Sequence, residues 1–160
     1  MKLVPTLFLR LAVAAIAVAT FALCAFALPA MWRAVPGEYP SATYVFYCIL
    51  LAVYLSALPF SYALYQAWQV LSYIDKGKAF SLVSVTALKR IAYCALAISA
   101  IYAASMPFFY IWADRDDAPG LVIISMMLVA APLTVAVFAA VLQRLFRQAL
   151  GIKSENDLTV

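Results

Sequence analysis

Four long stretches of this 160-residue chain carry no Asp, Glu, Lys or Arg: Leu11–Trp32, Tyr39–Ile74, Ile91–Ala113 and Ala118–Gln143. Each reaches or exceeds the roughly 20 apolar residues that cross a hydrocarbon core of about 30 Å. No water is present in such a core to satisfy backbone N–H and C=O groups, so each stretch is expected to be a helix. The runs are too long and too continuously apolar for membrane β-strands, which alternate with a period of two. Charged residues make up only 11% of the chain and hydrophobic ones 68%, whereas soluble domains carry about 25% charge. The expected fold is an all-α membrane protein, a four-transmembrane-helix bundle in one domain, with spans at about 7–29, 42–64, 91–112 and 121–142.

A cleaved signal peptide is the alternative reading of the N-terminus. Lys2 and Arg10 would form its basic region, and Ala27-Leu28-Pro29-Ala30 its cleavage site. The apolar run is longer than the usual core of about 7–15 residues. Leu23 is also too bulky to precede a lipoprotein cysteine at Cys24. A first transmembrane span is therefore expected.

With four spans, both ends lie on one side of the bilayer. Nine of the eleven basic residues fall there: Lys2, Arg10, Lys76, Lys78, Lys89, Arg90, Arg144, Arg147 and Lys153. Only Arg33 and Arg115 fall on the other. Positively charged loops stay inside, so the N and C termini are expected in the cytoplasm, and the protein in the bacterial cytoplasmic (inner) membrane as a multi-pass protein. The net charge of +4 is read as a topology signal and as an attraction to anionic headgroups. Direct nucleic acid binding is not expected, because the basic residues sit at span ends with no soluble domain behind them.

Along the chain, Ala15, Ala19 and Ala22 share one face of the first span and suit a packing seam. Pro36 and Gly37 are expected to break the helix in an outer loop. The second uncharged run would be about 54 Å long if wholly helical. Its end, with Gln66, Gln69 and Tyr73, is therefore expected to protrude into the cytoplasm, and Pro59 to kink it. Residues 75–90 form the cytoplasmic loop: Gly77 suits a turn and Ser81 an N-cap. The segment after Ser81 is either a short interfacial helix or an extension of span three. Residues 143–160 read as an amphipathic extension and tail, with Gly151 as a C-cap.

Catalytic chemistry has little to work with. There is no histidine, which removes His ligands to haem and His bases. Cys24, Cys48 and Cys94 form no Cys-x-x-Cys pair. No Asp, Glu, Lys or Arg is expected within a membrane core, where ion-coupled transporters and pumps usually place one. Thr20, Ser56, Ser99, Ser105 and Thr134 would give a thin pore lining and read more naturally as packing hydroxyls. Asp114, Asp116 and Asp117 form an outer-loop acidic cluster whose two readings are a weak divalent-cation site and a solvated turn. No enzyme activity, cofactor or metal is expected.

Several segments resemble a known family. Asp75-Lys76-Gly77-Lys78-Ala79-Phe80-Ser81 followed by Ala87-Leu88-Lys89-Arg90-Ile91, and the ending Ile152-Lys153-Ser154-Glu155-Asn156-Asp157-Leu158-Thr159-Val160, are similar to the bacterial membrane family called domain of unknown function 2975. So are Asp116-Asp117-Ala118-Pro119-Gly120 and Ala131-Pro132. The resemblance implies a four-helix membrane protein with no assigned reaction. Genes of that family often lie beside one for a small helix-turn-helix regulator. This implies a regulatory or interaction role in which a cytoplasmic face binds such a regulator. The expected contact residues are Lys76, Gly77, Lys78, Phe80, Lys153, Glu155, Asn156, Asp157 and Leu158, with Phe80 and Leu158 as apolar anchors. The equal alternative for the tail is that it caps the protein's own helices. The other expected function is a small transporter or channel subunit. The lipid bilayer is the remaining partner, and homo-oligomers are compatible with the pattern.

Overall fold

The computed structural model describes residues 3–38, 43–77 and 81–158. They form five helical elements: α1 (Leu3–Ala22), α2 (Leu28–Glu38), α3 (Thr43–Asp75), α4 (Leu82–Arg115) and α5 (Gly120–Leu158). A single wide π-turn, Leu23–Ala27, joins α1 to α2. Four helical stretches are long and apolar enough to cross a membrane: Thr6–Ala34, Thr43–Asp75, Leu82–Arg115 and Gly120–Ile152. Among the described residues there is no strand. The fold is the expected all-α membrane bundle.

Each helix packs on the next in the chain: α1 on α3, α3 on α4, and α4 on α5. The packed face of α1 runs through Thr6, Arg10, Val13, Thr20, Cys24 and Leu28, the spacing of one side of a 3.6-residue helix. Ala15, Ala19 and Ala22 are exposed. The expected small-residue seam thus faces away from the bundle. The reason is that Arg10 and Cys24 are drawn to partners on α3, and they fix the rotation of α1.

The first span also continues beyond its expected end. The helix passes Pro36 and Gly37 and is described as far as Glu38. A proline removes one i→i−4 bond and a glycine costs only about 1 kcal/mol. Here packing outweighs both. Leu28 is buried in a cluster with Phe46 and Leu50, and Trp32 stacks on Tyr47 with ring centroids 4.5 Å apart. The π-turn has a local cause. Pro29 has no N–H, so the preceding turn widens and the Leu28 amide donates to the Leu23 carbonyl five residues back. Tyr54 on α3 donates its hydroxyl to the Cys24 carbonyl in that turn, at 3.3 Å.

α3 and α4 carry most of the core. Val45, Ile49 and Phe109 form a second buried cluster near the end opposite the basic residues. Both helices run unbroken past a proline, Pro59 and Pro107. Residues from Leu82 onward are a direct extension of span three, which decides between the two readings of that segment. Ser81 caps it as expected, its Oγ accepting from the Ser84 amide at 3.3 Å. α5 runs through Gly151 to Leu158, so Gly151 is not a C-cap. A lone glycine inside a helix with intact bonds on both sides lowers its propensity without ending it.

Candidate functional site

Two ends of the bundle differ in chemistry. At one end α4 turns into α5. Ala118 donates its amide to the Ala113 carbonyl at 2.9 Å and Asp116 to Trp112 at 3.1 Å. Asp117, in the left-handed region at φ 50°, sits between them. This is a Schellman-type stop, followed by Pro119 where the new helix begins. The Asp116 carboxylate accepts from Trp112 Nε1 at 2.7 Å. Among the described residues no three carboxylates or thiolates gather as a metal site. Asp114 is exposed in the last turn of α4; in the turn itself Asp116 ties down an aromatic ring, and Asp117 adopts a conformation that Asp tolerates better than most residues.

At the other end lie Arg10 of α1, Lys76 in the turn after α3, Lys89 and Arg90 of α4, and the basic residues of α5. Arg10 pairs with Asp75, Nη2 to Oδ2 at 2.8 Å, and its guanidinium lies over Trp68 at 5.5 Å. Of the expected contact residues, Lys76 sits with its ammonium 5.8 Å from the Tyr73 ring centroid. Gly77 makes the turn at φ 69°, its amide donating to the Ile74 carbonyl at 3.0 Å. Lys78 and Phe80 lie outside the described residues. Lys153, Glu155, Asn156, Asp157 and Leu158 are all on the last turns of α5. Glu155 is exposed, as are its neighbours Gly151, Ile152 and Ser154. The inner turn and the tail are thus both at the basic end.

Register shows how far α5 projects. Ser99 Oγ donates to the Val129 carbonyl at 2.9 Å, which pins α4 against α5. Counting seventeen residues from each in the antiparallel pair brings Leu82, the start of α4, level with Phe146. α5 continues for twelve more residues, about 18 Å of helix at 1.5 Å per residue.

Several cavities lie between the helices, among them one of about 530 Å³ between α1 and α3. Another, about 680 Å³, touches α1, α3, α4 and α5 inside the membrane region; it includes Thr20, Ser56, Ala95, Tyr102 and Pro132. No carboxylate or basic side chain lines it. The hydroxyls weighed above as a pore lining are all committed to backbone carbonyls: Thr20 to Ile16, Ser56 to Val53, Ser99 to Val129, Ser105 to Tyr102 and Thr134 to Ala130, at 2.8–2.9 Å. Ser56 Oγ also lies 3.0 Å from Tyr102 Oη. With the serine proton on Val53, the tyrosine is the donor.

A smaller cavity, about 260 Å³, is a cleft between α3 and α4 at the basic end, walled by Gln66, Gln69, Thr86 and Arg90 among others. Gln66 is 1% exposed, and its Oε1 has no hydrogen-bond partner. Sequence reasoning placed Gln66 on a protruding polar face. The structure buries it, because α4 begins beyond the span and runs alongside the same turns of α3. A glutamine at helical spacing from Gln69 gives no sign of this without the pairing of the helices.

Residues 31–160 match the family described as Protein of unknown function (DUF2975). The chain belongs to that family. This DUF2975 protein is 49% identical over 160 residues, all of both chains, to the "Uncharacterized membrane protein YoaS" of Bacillus subtilis (strain 168). No solved structure matches it. The DUF2975 chain is therefore a multi-pass membrane protein on two grounds, its four apolar helices and its full-length membrane relative.

Proposed function

We propose that this protein is an interaction partner of a small cytoplasmic helix-turn-helix regulator, held in the bacterial cytoplasmic membrane with both termini inside. The observation that carries the reading is the projection of α5 beyond the start of α4, with Ile152 and Glu155 exposed on it. A helix that merely crosses the bilayer has no need of those turns. The nine-to-two split of basic residues supports the orientation, since Lys and Arg near span ends favour the cytoplasmic side. The class of partner comes from the family resemblance and its gene neighbourhood. Exposed apolar and charged groups on one rigid helix suit docking, with Ile152 as anchor and the charges fixing orientation.

The test is co-purification of the full chain with the regulator encoded beside it, together with removal of residues 152–160. The reading expects the regulator at the membrane with the full chain and in the cytosol with the truncated one, and a matching change in a reporter under its control. An unchanged distribution and unchanged reporter would reject it. A transporter or channel subunit has less behind it, because the cavity shared by the four spans is apolar and its hydroxyls are occupied. Flux through liposomes containing the purified protein would bring that reading forward.

A further inference from the structure

We infer that the cleft between α3 and α4 at the basic end is a binding site for a phosphate ester bearing a hydroxyl donor, of which the headgroup of an anionic glycerophospholipid is the membrane source. The cleft joins complementary groups at one place. Arg90 supplies a guanidinium, which pairs with phosphate oxygens through two parallel N–H donors. It is exposed and lines the same cleft as the buried amide of Gln66. That amide is an acceptor lacking a donor: Oε1 is buried in the cleft wall and has no hydrogen-bond partner. A buried acceptor left in this state is destabilising, so a ligand hydroxyl that reaches it gains what the apo protein lacks. Gln69 on the same wall already donates its Nε2 to Tyr65 Oη at 3.0 Å, which leaves its oxygen as a second acceptor. Leu82 and Val83 bring the first turn of α4 to the rim; Ser81 caps the Ser84 amide there, and the positive end of the helix dipole favours an anion.

The position fits as well. About 20 residues cross the hydrocarbon. Counted from Tyr44 on α3 they end near Leu64, just before Gln66, and Arg90 flanks the apolar run that begins at Ile91. The cleft therefore opens at headgroup depth, where basic pockets between helices bind lipid headgroups. Its volume of about 260 Å³ exceeds the roughly 30 Å³ share of one water, so a single trapped water would leave most of it empty.

The full chain, stripped of lipid in dodecyl maltoside, is offered phosphatidylglycerol and phosphatidylcholine with the same acyl chains, and retained lipid is weighed by native mass spectrometry. The wild type should keep one phosphatidylglycerol over phosphatidylcholine by about tenfold, because only phosphatidylglycerol brings a hydroxyl to Gln66 and no choline cation to the neighbourhood of Arg90. Arg90→Gln and Gln66→Leu should each remove that preference. Lys89→Gln makes the same charge change on a side chain that lies over Tyr93, outside the cleft, and should keep it. Equal retention of the two lipids by the wild type overturns the site, as does an equal loss in Lys89→Gln and Arg90→Gln, which would mean diffuse attraction. Retained preference in Gln66→Leu would overturn the role of the buried amide. Glycerol 3-phosphate is the soluble arm. If at millimolar concentration it raises the melting temperature of wild type and not of Arg90→Gln, the occupant is a free phosphate ester and the lipid source is overturned. No shift supports the lipid. Regulator binding is not read in any arm, so this outcome is separate from that of the proposed function.

Discussion

Arg10 on α1 and Asp75 at the end of α3 form an ion pair at 2.8 Å that closes the basic end of the bundle. The two groups are only 30% and 20% exposed, and the arginine also covers Trp68. α1 packs on α3 alone among the long helices, so this contact is a main tie of the first span to the rest. A partly exposed pair is worth at most about 1 kcal/mol, and an exposed cation–π contact about 0.5–1.

Asp75→Asn should therefore cost about 1 kcal/mol and Arg10→Gln somewhat more, since it also loses the stacking on Trp68. Unfolding in mixed micelles measures both. In a double-mutant cycle the pair should couple by about 0.5–1 kcal/mol. Additive losses would mean that the two side chains act separately.

Asp117 and Gly77 hold the two left-handed positions of the described backbone, at φ 50° and φ 69°. Asp117→Gly should stabilise by up to about 1 kcal/mol, and Asp117→Val should destabilise by about 1–2. Nothing lies within 4 Å of a Cβ added at Gly77. Gly77→Ala should then cost only the conformational strain, about 1 kcal/mol, and leave the helix ends in place by circular dichroism.

Ser99 bonds across to α5, whereas Ser56 has a carbonyl on its own helix. Ser99→Ala should lose about 0.6 kcal/mol, the average worth of such bonds between membrane helices. Tyr102→Phe should lose less, because Ser56 keeps its bond to Val53. Thermal melting of the two variants side by side gives the order.

Gln66→Leu should raise stability by about 1–2 kcal/mol in lipid-free detergent. It replaces a buried amide whose oxygen is unsatisfied with an apolar side chain of similar size. A loss of stability would show that the amide is already satisfied.

What could be read from the sequence was local or counted along the chain. The four spans follow from unbroken charge-free runs. The Ser81 cap and the Gly77 turn follow from the backbone preferences of those residues. At Pro36 and Gly37 the local breaking tendency is overridden by packing of the same helix, such as Trp32 on Tyr47, whereas at the exposed Gly151 intact bonds on both sides carry the helix through a lone glycine. The cleft around Gln66 and the ion pair of Arg10 were hidden for another reason. Both join residues far apart in the chain, and helical periodicity does not say which helices meet. The acidic cluster was legible as a turn in Asp117-Ala118-Pro119-Gly120, and only the geometry separates that role from cation binding.

α5 carries a mechanical consequence. From Pro132 to Leu158 it is one uninterrupted rod, about 39 Å long at 1.5 Å per residue. A rod of that length acts as a lever with its fulcrum in the bilayer. A change of tilt of about 10° at Pro132 sweeps the tip sideways by about 7 Å at that length. Thickening or thinning of the surrounding lipid, which long spans answer by tilting, is thereby converted into displacement of Glu155 and its neighbours.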